Sequence, residues 1–174
     1  MLKQKTFLFA IIYSVLVIAF KLFVFNSGMQ MTKLGMYSHI LSLLLMTPFI
    51  LLLVFLERRN RAGQISGKAA LQQGLIFASV AIIILSVFNY IFFQQELGAY
   101  IADYIQANAP KSLLAEAAKS GKTLSTVQID KMVRGGIDDL SAFKDTTSKL
   151  FGMLIMGIFS SFIASVFFKN TENG

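Results

Sequence analysis

Four stretches of the chain, about 7–25, 36–56, 74–93 and 150–168, are almost wholly apolar, and each reaches the roughly 17–25 residues a helix needs to cross a bilayer. Inside hydrocarbon, backbone N–H and C=O groups find no water, so these runs must adopt the helix, which pairs those groups within the segment. The pattern predicts an all-α integral membrane protein, one domain with four transmembrane helices. The first run, TFLFAIIYSVLVIAFKLFVF, follows Lys3 and Lys5 as a signal peptide would. It is long and ends without a small-residue cleavage pattern, so it reads as a retained span.

Between the third and fourth runs, residues 94–149 keep apolar positions at helical spacing. Leu97, Tyr100, Ile101, Tyr104 and Ile105 form one stripe that continues the third span. Pro110 suits the first turn of a second short helix reaching Ala118. A third helix should begin after Ser125, carry Val127, Ile129, Met132 and Val133, and run to Gly135-Gly136. The segment is therefore expected to be a helical extracytoplasmic insertion between the third and fourth spans.

Composition agrees with a lipid-embedded chain: 55% of the residues are apolar and the mean hydropathy is +0.65, too oily for a soluble domain of 174 residues. Without cysteine there is no disulfide, thiolate metal site or cysteine nucleophile. The net charge of +7 would suggest a nucleic-acid partner if it were gathered on one surface, but the charges sit mainly beside the spans, and no nucleic-acid binding is expected. Arg58, Arg59, Arg61 and Lys68 crowd the loop between the second and third spans, and Lys3 and Lys5 precede the first. Short loops rich in Lys and Arg stay cytoplasmic. Opposite them stand Lys33 alone and the long 94–149 connection, whose seven basic and seven acidic residues balance. Lys169 after the fourth span agrees. The expected location is the bacterial inner membrane, with both termini cytoplasmic.

Two glycine-rich stretches come close to a phosphate-binding loop and fail. In LLAEAAKSGKTLS, the glycine required five residues before Gly121-Lys122-Thr123 is Glu116, whose carboxylate would repel phosphate. Gly121 instead reads as the stop of one helix, and Thr123 or Ser125 as the cap of the next. The second stretch, from Gly63 to Lys68, is one residue short and is followed by Ala69 instead of a magnesium-binding hydroxyl.

The basic cluster followed by Gly63-x-Ile65-Ser66-Gly67-Lys68-Ala69, with Gly74 opening a span that ends in Tyr90 and aromatics, resembles the bacterial family called domain of unknown function 4199. The stretch Gly121-Lys122-Thr123-Leu124-Ser125-x-x-Gln128-Ile129-Asp130-Lys131-Met132 and a last span starting near Phe151-Gly152 are similar to it as well. The resemblance implies a four-span membrane protein with an outer helical insertion, and it transfers no catalytic residue.

Polar residues inside the spans are few. His39 is the sole histidine and has no carboxylate in its span to form a metal site or a nucleophile–base pair. Lys21, about a turn from the end of the first span, should snorkel to the headgroups. Asn89, Ser79 and Ser86 in the third span, and Gly157, Ser161 and Ser165 in the fourth, are spaced for close helix contact. The Arg58, Arg59, Arg61 and Lys68 cluster sets topology and can touch anionic headgroups. No catalytic residue, metal or cofactor is expected. The leading expectation is a non-enzymatic interaction or accessory subunit that binds membrane lipids or an unidentified membrane or periplasmic protein. The alternative is a small transporter or channel subunit, which requires Lys21, His39 and Asn89 to converge on one cavity. An enzyme acting on lipid-linked substrates would have to use Asp138 and Asp139.

Overall fold

The computed structural model describes residues 2–168, and among these every regular element is a helix: α1 (Leu2–Asn26), α2 (Lys33–Asn60), α3 (Gly67–Phe92), a π-helical turn (Phe93–Leu97), α4 (Gly98–Lys119), α5 (Thr126–Asp138) and α6 (Ala142–Phe168). Four helical segments are long and apolar enough to cross a membrane, and the third runs unbroken from Gly67 to Lys119. Lys169 lies outside the described residues. The helices start earlier than the apolar runs, α3 at Gly67 and α6 at Ala142. Hydropathy marks only the stretch that lipid can cover, whereas a helix extends to wherever its first N–H groups find acceptors. For α3 that acceptor is the Ser66 hydroxyl, which takes a hydrogen bond from the Ala69 N–H at 3.2 Å.

Contacts divide the chain into two compact units, one made of residues 89–147 and the other of the segments on either side. In the flanking unit, α1, α2, α3 and α6 share one core that includes Tyr13, Met46, Ile50, Phe77, Leu85 and Ala164. Tyr13 is its centre. The ring lies 5.4 Å from Phe49 and 5.5 Å from Phe77, and the hydroxyl donates to the Ser42 carbonyl at 2.7 Å, so a polar atom deep in the unit is satisfied across two helices. Small residues let α6 approach its neighbours: Gly157 faces Ala78 and Met46, and Gly74 faces Ser161. Thr47 and Ser160 share a hydrogen bond of 2.8 Å between α2 and α6. Pro48 sits inside α2 without ending it. Phe7, Val15, Leu44, Ile83, Ile155 and Phe162 point outward and are largely exposed. Water would not tolerate so much apolar surface, and lipid requires it.

In the 89–147 unit, α4 and α5 form a hairpin whose turn is closed at both ends. Gly121 adopts φ +65°, the Lys122 N–H reaches back to the Ala117 carbonyl at 2.9 Å, and the Gly121 N–H reaches Ala118 at 3.2 Å. This is the six-to-one and five-to-two pattern that stops a helix at a left-handed glycine. Ser125 then opens α5 with a capping box: its hydroxyl accepts from the Gln128 N–H, while its own N–H donates to the Gln128 side chain at 2.9 Å. Ile129 and Val133 of α5 and Ala117 of α4 are buried. Pro110 does not open a new helix; α4 passes through it. The Gln106 carbonyl, four residues earlier, loses its intrahelical donor but belongs to an exposed residue that water can reach, so the Ala-rich flanks keep the helix intact. The π-helical turn also departs from the simple stripe. There Gly98 is needed, because a Cβ would come within 2.8 Å of the Phe93 carbonyl and 3.1 Å of its ring.

Candidate functional site

The four loop cations divide into two pairs with different tasks. At the end of α2, Arg58 donates through Nε to the Gly63 carbonyl at 2.9 Å while the Gly63 N–H returns to the Arg58 carbonyl at 2.9 Å. Arg61 meets buried Glu57 one turn back, Nε to Oε1 at 2.9 Å. The chain reverses through left-handed Ala62 and Gly63, and Ile65 tucks into the core with Ala70, stapling the start of α3. Arg58 and Arg61 therefore hold the turn. Arg59 and Lys68 are exposed, and among the described residues no hydrogen bond or ion pair engages either side chain.

The three intramembrane candidates occupy separate helices. Lys21 is half-buried on α1, and His39 is half-buried on α2 with its Nε2 beside Gly152 of α6, 3.7 Å from where a Cβ would stand. Asn89 is buried and belongs to the 89–147 unit. Each of the three has a partner in the structure. Among the described residues, no three His, Asp or Glu side chains gather as metal ligands. Asp139 forms an ion pair with Lys144 where α5 turns into α6, which gives this carboxylate a structural task.

The serines and glycines divide likewise. Gly157 and Ser161 lie at the α3–α6 contact, and Ser86 is turned inward with its hydroxyl unsatisfied. Ser79 is not at a helix contact: it faces outward, donates to the Leu75 carbonyl at 2.8 Å, and lines a groove on the outer face of α3. The residue that sequence reasoning missed is Gln73. It is 5% exposed, and neither amide atom has a hydrogen-bond partner among the described residues. Its signal lies in the inward register of α3, one turn before Phe77 and two before Ala81, but it falls just outside the apolar run that begins at Gly74.

No curated protein and no solved structure matches this chain. A family profile does match, described as a protein of unknown function (DUF4199), and it extends over residues 7–170, from within α1 to just past α6. It takes in the packed spans, the Arg58–Lys68 turn and the capped hairpin alike, and on that near-complete match the chain belongs to the DUF4199 family.

Proposed function

We propose that this protein is a non-enzymatic accessory subunit of the bacterial inner membrane, whose α4–α5 hairpin lies on the extracytoplasmic side and engages another membrane or periplasmic protein. The observation that carries this reading is the hairpin itself. Both helix ends at its turn are capped, so the turn is held in a defined shape, and the hairpin presents Leu114, Val127 and Met132 to the surroundings at 49%, 75% and 53% exposure. Large apolar side chains kept in place on an ordered surface are what a partner buries. Asp130, Lys131 and Arg134 are exposed on α5 and would supply polar rim contacts in such an interface.

Photo-cross-linking side chains placed singly at Leu114, Val127 and Met132 in native membranes test it. One discrete product of the same partner mass from at least two of these positions is expected. It should disappear in a variant carrying Asp at Val127 and Met132. A smear no stronger than from a lipid-facing control at Ile83 would end the proposal.

A further inference from the structure

The outer face of α3 begins in exposed polar side chains and continues in apolar ones. Lys68, Gln72 and Ser79 are exposed there, and with Leu75, Ile76 and Val80 they line a groove of about 430 Å³. Lys68 and Gln72 lie one turn apart on the same face, and the Gln72 amide makes no hydrogen bond with the described residues. From Lys68 to Val80 the helix rises about 18 Å. The hydrocarbon of one leaflet is about 15 Å deep, half of the usual 30. With the Lys68 ammonium at headgroup level, where long cationic side chains settle, the groove therefore stays within a single leaflet.

We propose that this groove seats one anionic phospholipid, its phosphate against Lys68, its ester carbonyls beside the Gln72 amide, and one acyl chain along Leu75, Ile76 and Val80. Charge selects the headgroup. Among the described residues Lys68 has no counter-ion, and Arg59, at the other side of the same short turn, has none either, whereas Arg58 and Arg61 are already engaged. Depth selects a lipid over a free anion. An amide about 6 Å below Lys68 sits where a glycerol ester offers acceptors, and the apolar floor beyond it has no use for a soluble phosphate. The site is independent of whatever the hairpin binds.

The test uses the full-length protein reconstituted in mixed phosphatidylglycerol and phosphatidylcholine vesicles, extracted in mild detergent and weighed intact by native mass spectrometry. One phosphatidylglycerol should remain bound in preference to phosphatidylcholine. Lys68→Gln should lower that occupancy about fivefold, the loss of one charge contact at a membrane surface. Gln72→Leu, a change on the lipid-facing side that leaves the core intact, should lower it as well. Lys33→Gln, which removes a cation at the start of α2, should leave it unchanged. Equal loss in the Lys33 variant would show that the charge acts without a site, and retention in both the Lys68 and Gln72 variants would remove the site altogether. Displacement of the lipid by millimolar inorganic phosphate would mean an anion site and would overturn the proposal.

Discussion

Gly157 on α6 stands so close to Ala78 on α3 that a Cβ on the glycine would come within 2.6 Å of the alanine's own. Gly74 repeats the relationship one turn away, where a Cβ would come within 2.7 Å of the Ser161 Cβ. In lipid, helices gain nothing from hiding apolar surface, so their association rests on this kind of close backbone approach. Gly157→Ala should therefore force α3 and α6 apart and destabilise the protein by about 1–3 kcal/mol, read as a lower unfolding temperature in detergent. Gly157→Ala combined with Ala78→Gly moves the methyl group to the other helix and should recover most of the loss. If the double variant is no more stable than the single one, close approach at this point is not what holds the pair.

Gln73 makes a prediction of the opposite sign. Its amide is buried and neither polar atom meets a hydrogen-bond partner among the described residues, so its burial carries a desolvation cost. Gln73→Met keeps the length of the side chain and removes the polar atoms. It should raise stability by about 1–3 kcal/mol, seen as a higher unfolding temperature in the same detergent. A drop in stability would show that the amide gains more from its surroundings than its geometry suggests.

The hairpin's caps can be tested where they act. Ser125→Ala removes the hydroxyl that accepts from Gln128, a loss of about 1 kcal/mol. Gly121→Ala places a side chain at φ +65° and costs about 1–2 kcal/mol. Either change should speed hydrogen exchange of the α5 amides by roughly fivefold or more, while the amides of α1 and α2 stay as they were. Uniform acceleration across all helices would mean that the hairpin has no local opening of its own.

How far the sequence could be read follows from what each feature depends on. The four spans were legible because hydropathy reports the medium directly, and the stop at Gly121 and the start at Ser125 were legible because caps are local chemistry. Pro110 misled, since proline does not always end a helix, and both Pro110 and Pro48 lie within unbroken helices, which spacing does not reveal. Ser79 was expected at a helix contact and faces outward because small residues mark close contact only in the right register, and Gly157 has that register while Ser79 does not. Gln73 was hidden by the edge of an apolar run. The different tasks of Arg58 and Arg61 against Arg59 and Lys68 rest on the turn's backbone reversal at Ala62 and Gly63, which four clustered basic letters cannot express.

Orientation is open to a direct experiment. The turn between α2 and α3 carries Arg58, Arg59, Arg61 and Lys68, while the connection between α1 and α2 ends in Lys33 alone. Each Arg or Lys carried through hydrocarbon is disfavoured by about 2.5–3.5 kcal/mol on insertion scales, so the orientation that keeps the four-cation turn in the cytoplasm should dominate. The 89–147 unit escapes that rule, because long connections translocate largely regardless of charge. Alkaline phosphatase, active only outside the cytoplasm, should therefore be inactive when fused after Gly63 and active when fused after Asn108. Arg59→Gln with Lys68→Gln spares the two arginines that hold the turn and should raise the activity of the Gly63 fusion by weakening retention. Activity at Gly63 and silence at Asn108 in the unmodified chain would invert the orientation, and the hairpin's partner would then have to be sought in the cytoplasm.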